Sequence, residues 1–226
     1  MSRFSILRHN EVVDAMQHIV GVLPYLLEGI KLTFLITVIG VGIGFVIGAF
    51  VGLGRISKNI FIFWLSTIYV EVIRGTPILV QIFFIFFGLS DFYNFDKLTA
   101  SIMAISLNAG AYIAEIVRGG VQSIDKGQFE AGDSIGLTKA QTMWYIIWPQ
   151  AFKRMIPPLG NQFIISLKDT SLFSAIAVHE LLYQGRTYAS TTFVSFQPYL
   201  MVALFYLAIT IPSSIILRRV ERRLDV

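Results

Sequence analysis

The chain has 226 residues, of which 55% are hydrophobic and only 14% carry a charge. Soluble domains are about a quarter charged, and disordered chains combine low hydrophobicity with high net charge. The mean hydropathy of +0.69 excludes both classes. The sequence contains no cysteine, which excludes disulfides, thiolate metal sites and a cysteine nucleophile. Its basic residues lie in short segments between apolar runs, a pattern typical of membrane topology rather than of a nucleic-acid-binding surface.

The start of the chain differs from a cleavable signal peptide. Arg3 and Arg8 are followed by polar residues instead of an apolar core. We therefore expect residues 1–20 to form an external N-terminal segment. The first apolar run is then an uncleaved anchor.

Five apolar runs are long enough to cross a bilayer, which takes roughly 20 residues in helical form. They are Leu23–Leu53, Asn59–Leu89, Leu98–Arg118, Leu159–Val178 and Pro198–Leu217. The first two runs exceed the thickness of a bilayer, so they must tilt, kink or project from it. The sequence predicts an all-α membrane protein with five transmembrane helices in a single domain, residues 1–226.

Lysine and arginine are distributed unevenly between the segments that join these runs. Eleven lie after the first, third and fifth runs, and four lie in the remaining segments. Cytoplasmic loops carry the excess of basic residues in membrane proteins. We therefore predict that the N-terminus lies outside and the C-terminus inside, which agrees with an odd number of spans.

One inner segment, residues 119–158, is much longer than an ordinary connection between helices. Its centre, Gly127 to Tyr145, is predicted to form short helices broken at Gly136. A loop of this size is either a docking surface or poorly ordered. Its apolar residues, among them Ile135 and Trp144, favour an ordered surface.

The sequence lacks the signatures of several enzyme classes. It has no G-x-x-x-x-G-K-[ST] phosphate loop and no G-x-S-x-G motif. Its three histidines, His9, His18 and His179, lie far apart in sequence, which disfavours a metal site. We therefore expect no catalytic residues, no metal and no cofactor bound by this chain itself.

Four clusters of ionisable residues fall in or beside the spans, where charge is costly and usually faces a cavity or a partner. Glu28 with Lys31 and Glu115 with Arg118 are spaced i, i+3, so each pair shares one helix face. Both pairs lie near an interface. We interpret them first as self-neutralised structural pairs.

The second run is interrupted at Arg74-Gly75-Thr76-Pro77. Proline removes a backbone donor and clashes with the preceding turn, and broken helices in transporters expose polar groups to a substrate. Two interpretations stay open. Arg74 lines a substrate cavity, with Gln81 one turn further on, or the break is a packing kink in which Arg74 pairs with Glu71.

The fourth run contains four consecutive polar residues, Lys168, Asp169, Thr170 and Ser171. Neighbouring residues on a helix lie about 100° apart, so the run predicts a wide, wet surface. A zwitterion suits it, with the ammonium group bound to Asp169 and the carboxylate to Lys168. The alternative is a salt bridge to another span or subunit.

The long inner loop carries a recognisable pattern. It has E-A-G at residues 130–132, then Gly136, then I-I-W-P at residues 146–149. This resembles the E-A-A-x3-G-x9-I-x-L-P signature of the permease subunits of bacterial ABC importers, with Gly132 in place of an alanine and Trp148 in place of a leucine. In that family the segment is a coupling helix that inserts into a groove of the ATPase subunit. The resemblance implies that the docking residues are Glu130, Ala131, Gly132 and Gly136.

Four further stretches strengthen the resemblance: E-V-I-R-G-T-P from residue 71, A-Y-I-A-E-I-V-R-G-G from residue 111, P-P-L-G-N-Q from residue 157 and K-D-T-S-L from residue 168. Over roughly residues 22–224 the chain is similar to polar amino acid permeases of the histidine, glutamine and arginine class, and most like glutamine permeases. This implies a type I ABC importer permease fold in the bacterial cytoplasmic (inner) membrane. The residues then expected along the substrate path are Arg74, Gln81, Glu115, Lys168, Asp169, Thr170 and Ser171.

The resemblance also implies partners. These are a second permease subunit, identical or paralogous, cytoplasmic subunits that bind ATP, and an external amino acid-binding protein. The substrate would be a polar amino acid of the glutamine, glutamate, histidine or arginine class, moved by alternating access. Two alternatives stay open: an ion-gradient-driven transporter or channel, whose usual internal repeat is not found, and a membrane-embedded enzyme or assembly factor, which would require a catalytic cluster.

Overall fold

The computed structural model describes residues 3–224, with side chains described from residue 13 onward. Every regular element in that part of the chain is a helix, which confirms the all-α prediction. The helices are α1 Arg3–Gly54, α2 Ile60–Arg74, α3 Ile78–Phe83, α4 Lys97–Gln122, α5 Lys126–Ser134, α6 Lys139–Gln141, α7 Trp148–Asp169, α8 Leu181–Thr192 and α9 Phe196–Leu224. Two π-helical segments, Phe84–Gly88 and Thr142–Ile147, continue α3 and join α6 to α7, and a 3₁₀ segment, Thr170–Ile176, follows α7.

The first two apolar runs, which are both longer than a bilayer is thick, fold in different ways. α1 continues without a break through 52 residues, about 78 Å at 1.5 Å per residue, so it must project from the membrane or tilt within it. Residues 1–20 were expected to form an external N-terminal segment. From Arg3 onward, this segment is part of the same helix α1. The second run is bent by 102° between α2 and the segment Ile78–Gly88. This segment, which consists of α3 and the π-helical turn that continues it, is called the α3 segment below. The bend lies at the predicted interruption, residues 74–77.

Three helices are long and apolar enough to cross a membrane: α1 from Val13 onward, α4 and α9. A fourth crossing is obtained if α2 and the α3 segment count as one bent span. α7 does not meet the same criterion, although the sequence predicted a span from Leu159. It begins earlier, at Trp148, and carries Pro157 and Pro158 inside the helix instead of at its start. The described residues thus give three or four candidate spans where five were predicted.

A row of glycines allows α1 to pack closely along α4. In the stretch of α1 from residue 40 to residue 52, glycine occurs at every fourth position: 40, 44, 48 and 52. A Cβ atom added at Gly48 would lie 2.6 Å from the Ile113 side chain and 2.8 Å from the Gly110 carbonyl oxygen. The contacts advance in the same direction along both helices, from Gly40 against Ile105 to Gly52 against Val117, so the helices run parallel. Such small-xxx-small rows bring helix backbones together in membranes.

The short helix α8, which the sequence did not predict, is fixed by a buried carboxylate. Glu180 is fully buried and accepts hydrogen bonds from the backbone N–H groups of Leu182 (2.8 Å) and Tyr183 (2.7 Å) and from the Tyr206 hydroxyl (3.2 Å). Burial raises the pKa of this carboxyl to about 7, since the charged form loses its water. Glu180 therefore both caps α8 and ties it to α9.

Candidate functional site

A polar cavity of about 560 Å³ opens at the bend between α2 and α3. Its walls come from the bend itself, from α4 and from the C-terminal part of α7. The polar lining consists of Arg74, Thr76, Asn108, Tyr112, Gln162 and Asp169. The cavity thus brings together a cationic, an anionic and two amide side chains from three parts of the chain.

Gln81 holds the bend together from inside the protein. Its side-chain amide donates hydrogen bonds to the carbonyl oxygens of Ile73 (2.7 Å) and Thr76 (3.1 Å), which the break leaves without helical partners. Its side-chain oxygen accepts from Asn108 at 3.1 Å. Gln81 is buried and does not line the cavity described above. Its contacts are those of a brace between the bend and α4.

Glu115 is the centre of an ion-pair cluster beside the cavity. Its carboxylate contacts Arg55 at 3.0 Å, Arg74 at 3.4 Å, and Arg118 through two hydrogen bonds of 3.1 and 2.9 Å. The predicted pair of Glu115 and Arg118 is therefore present, but it is not isolated. The interpretation that Arg74 pairs with Glu71 is wrong in this structure. Glu71 forms its ion pair with Arg55, at 3.2 Å, and Arg74 forms its ion pair with Glu115 of α4.

Arg74 belongs to both the ion-pair cluster and the cavity. Its guanidinium group lies 5.3 Å from the centre of the Tyr112 ring, in a cation–π arrangement. Its side chain is 39% exposed, compared with 13% for Arg55 and 19% for Glu115. Of the cluster residues, Arg74 is the one that lines the cavity.

The polar run at the end of α7 does not form one wet face, so that expectation is wrong. Thr170 is fully buried, and its hydroxyl donates to the Leu167 carbonyl oxygen at 2.7 Å. Lys168 is exposed but does not line the cavity, and the Ser171 hydroxyl donates to the Lys168 carbonyl oxygen at 2.8 Å. Neighbouring residues on a helix point about 100° apart, and here the wall of the cavity takes up only one of these directions. Asp169 is the member of the run that lines the cavity.

Four polar cavity residues were not predicted as site residues from the sequence: Thr76, Asn108, Tyr112 and Gln162. Two of them, Asn108 and Gln162, are buried amides within predicted spans. Buried polar groups need partners, so an amide at membrane depth was a signal that could have been used. Arg55 was likewise counted only as a loop residue, although it reaches the centre of the ion-pair cluster.

The inner loop has the predicted local structure. α5 ends before Gly136, which adopts a φ of +77° and turns the chain into α6. Glu130, Ala131 and Gly136 are exposed. Gly132 is buried, and a Cβ atom there would lie 2.5 Å from the Thr142 methyl group. Its small size therefore permits close packing within this loop, and of the four docking residues that the resemblance implied it is the buried one.

The same loop exposes large apolar side chains away from the candidate spans. Ile135 is 72% exposed, Trp144 67% and Tyr145 69%. Large apolar side chains exposed on one segment are typical of interaction surfaces. The loop is ordered as helices, yet its outer side is not covered by the described part of this chain.

Comparison with known proteins decides the family. Residues 40–226 match the family described as binding-protein-dependent transport system inner membrane components. The chain belongs to this family. It is therefore an inner-membrane permease component, which is not itself catalytic, because a separate subunit hydrolyses ATP in these systems.

Individual relatives match along most of the permease. The chain is 47% identical over 207 residues to the glutamine transport system permease protein GlnP of Escherichia coli (strain K12), covering 90% of this chain and 94% of GlnP. It is 42% identical over 200 residues to the probable glutamine ABC transporter permease protein GlnM of Bacillus subtilis (strain 168), covering 88% and 93%. A chain of a crystal structure of an amino acid ABC transporter with histidines matches with a TM-score of 0.86, 37% identity and 99% coverage of both chains.

Proposed function

We propose that this permease moves a polar amino acid, with glutamine as the first candidate, through the cavity at the bend between α2 and α3. The observation that carries the proposal is the presence of Arg74 and Asp169 in the walls of one cavity. Relatives at 47% and 42% identity bear glutamine in their names, which supports the substrate class. Glutamate, histidine and arginine are the further candidates of the same class.

The cavity offers complementary groups to a zwitterion. The Asp169 carboxylate is suited to the α-ammonium group, and the Arg74 guanidinium to the α-carboxylate, in charge-assisted hydrogen bonds. Arg74 takes the place first expected for Lys168, which does not line the cavity. The amides of Asn108 and Gln162 can exchange hydrogen bonds with a side-chain amide of the substrate.

We further propose five spans, with the N-terminus outside and the C-terminus inside. The fourth span is then the run predicted over residues 159–178, which the structure forms as α7 and the 3₁₀ segment, although α7 does not meet the apolarity criterion of the other candidate spans. Its residues include Met155, Gln162, Ser166 and Leu167, all buried against the rest of the protein, so this helix needs little lipid-facing apolar surface. The excess of lysine and arginine after the first, third and fifth runs supports the orientation.

Partners dock on opposite sides in this scheme. On the inner side, an ATP-binding subunit contacts α5 and its neighbours, where Glu130, Ala131 and Gly136 are exposed next to Ile135 and Trp144. On the outer side, a binding protein delivers the amino acid. A second permease subunit, identical or paralogous, completes the translocation path.

We propose a transport cycle that is compatible with this arrangement. ATP binding brings the two ATP-binding subunits together and carries each α5 with them. The loop that holds α5 joins α4 to α7, which both line the cavity, so the motion opens the cavity to the outside by rigid-body rocking. Hydrolysis reverses the motion and releases the amino acid inside. An ion-gradient-driven transporter would need neither ATP nor the exposed loop.

Copurification tests the partner assignment. A tagged chain, extracted from native membranes in mild detergent, is expected to bring down an ATP-binding subunit in nearly equal amount, as quantified by mass spectrometry. Glu130→Arg is expected to reduce that amount about tenfold or more, because the reversed charge lies on exposed α5. Asp91→Arg, which reverses an exposed carboxylate beyond α3, is the matched control and is expected to have no effect. A chain that purifies alone, or equal recovery with Glu130→Arg, would contradict the docking assignment.

A further inference from the structure

Glu115 lies behind the proposed substrate cavity and touches it through Arg74. Its carboxylate binds Arg55, which directly follows α1, Arg74 at the end of α2, and Arg118 on α4 itself. Arg74 is the last residue of α2, directly before the bend. The contact between Arg74 and Glu115 therefore links the inner half of the broken span to α4.

The three contacts of Glu115 are not equivalent. Arg118 makes two hydrogen bonds of 3.1 and 2.9 Å from one turn away on the same helix, and Arg55 approaches to 3.0 Å with a side chain that is only 13% exposed. Arg74 makes a single contact with Glu115, at 3.4 Å; its side chain is 39% exposed, lines the cavity and lies over the Tyr112 ring. Of the three arginines, Arg74 is the one that can exchange its partner at the least cost.

The charges of the ion-pair cluster do not balance. Arg55, Arg74 and Arg118 face two carboxylates, Glu71 and Glu115, so one positive charge is in excess within the cluster. Asp169 lines the same cavity as Arg74 but forms no ion pair with these arginines. A charge in or beside a span is stabilised by an opposite charge in reach. An anionic group that enters the cavity would meet this excess at Arg74.

We propose that Glu115 is a positioning residue that holds Arg74, and with it the end of α2, until the carboxylate of the transported amino acid takes over the contact. The inference rests on the proposed function, since it assumes that the substrate carboxylate binds Arg74. Glu115 competes with that carboxylate for the same guanidinium group. Binding of the amino acid in the cavity therefore weakens the contact between Arg74 of α2 and Glu115 of α4. Release of the amino acid restores this contact.

The competition predicts that removal of the Glu115 charge tightens substrate binding. In Glu115→Gln the amide keeps the shape but holds the guanidinium less strongly. With the purified permease–ATPase complex in the absence of ATP and of binding protein, we expect the dissociation constant for radiolabelled glutamine to fall about tenfold, the effect of about 1.4 kcal/mol. The carboxamide analogue of glutamine, which has no α-carboxylate, is expected to compete equally well in both forms.

Glu71→Gln is the matched control. It removes one carboxylate from the same cluster, but Glu71 contacts Arg55 and not Arg74. Equal tightening by both variants would overturn the inference, because the net charge would then be the cause. Unchanged binding in Glu115→Gln, or an equal shift for the carboxamide analogue, would also overturn it. If Glu115→Gln does not assemble, Glu115→Asp replaces it as the test variant. It keeps the negative charge but has a shorter side chain, so we expect the dissociation constant for glutamine to fall by a smaller factor.

Asp169→Asn separates this inference from the proposed function. If Asp169→Asn weakens glutamine binding while Glu115→Gln leaves it unchanged, the cavity binds the substrate and the role of Glu115 is wrong. If neither variant changes the dissociation constant, the assignment of the cavity itself is wrong. Size-exclusion profiles of both variants verify that the complex is intact in each case.

Discussion

Replacing Asp169 with asparagine is expected to lower amino acid uptake about tenfold to a hundredfold while the assembled complex is recovered in normal amount. The substitution keeps the size of the side chain and removes the negative charge that Asp169 presents to the cavity. A hydrogen bond to a charged group contributes about 1.5–3 kcal/mol, and the loss falls on binding of the ammonium group. Initial uptake rates over a range of glutamine concentrations, in vesicles with equal amounts of complex, measure the effect.

Lys168→Gln is the matched control for this prediction. Lys168 is the chain neighbour of Asp169 and carries a charge, but it is exposed and does not line the cavity. Its substitution is expected to change the uptake rate by less than about twofold, because an exposed charge usually contributes little interaction energy. A large loss with Lys168→Gln and a small one with Asp169→Asn would contradict the placement of the substrate in this cavity.

Replacing Gly48 with alanine is expected to destabilise the protein, although alanine is the better helix former. A Cβ atom at this position would lie 2.6 Å from the Ile113 side chain and 2.8 Å from a backbone oxygen of α4. The backbone cannot move away cheaply, and overpacking of this kind costs about 1–3 kcal/mol. α4 carries Asn108 and Glu115, so displacement of this helix also disturbs the cavity and the ion-pair cluster.

Gly42→Ala isolates the effect of close packing. Gly42 lies on the same helix, but a Cβ atom there has no described atom within 4 Å. Both variants share the gain in helix propensity, up to about 1 kcal/mol. Thermal unfolding in detergent is expected to give a Tm for Gly48→Ala about 3–10 °C below that of Gly42→Ala. Equal Tm values would show that the helices separate readily and that the glycine row is not a packing device.

Much of the site could be predicted because its signals are local. The interruption at residues 74–77 depends on Pro77, and the chain bends there by 102°. The break at Gly136 depends on a glycine that adopts a positive φ. Asp169 drew attention as a carboxylate in an apolar run, and it lines the cavity. In each case the chemistry of one or two adjacent residues fixes the local structure.

The partners of these residues could not be predicted, because they depend on how distant segments meet. Arg74 was considered with Glu71, its neighbour in sequence, whereas it pairs with Glu115 on another helix. Gln81 was expected in the cavity, but two free carbonyl groups of the bend draw its amide inward. The crossing predicted over residues 159–178 stays a prediction, because α7 does not meet the apolarity criterion that the other candidate spans meet.

The glycine row of α1 was a signal that the sequence offered and that was not used. A spacing of four residues places Gly40, Gly44, Gly48 and Gly52 on one helix face. Such a face has little apolar surface of its own, so it indicates close contact with another helix rather than with lipid. Recognising it would have predicted a closely packed helix against this face of α1, which the structure identifies as α4.

ATP-dependent uptake of glutamine tests the central claim most directly. The tagged permease, purified with its copurifying ATP-binding subunit and supplied with the binding protein, is reconstituted into proteoliposomes with ATP enclosed on the side of the inner loop. We expect labelled glutamine to accumulate when ATP is present, without any ion gradient, and accumulation to fall about tenfold or more with Asp169→Asn. Accumulation that requires an ion gradient and proceeds without ATP would contradict the account.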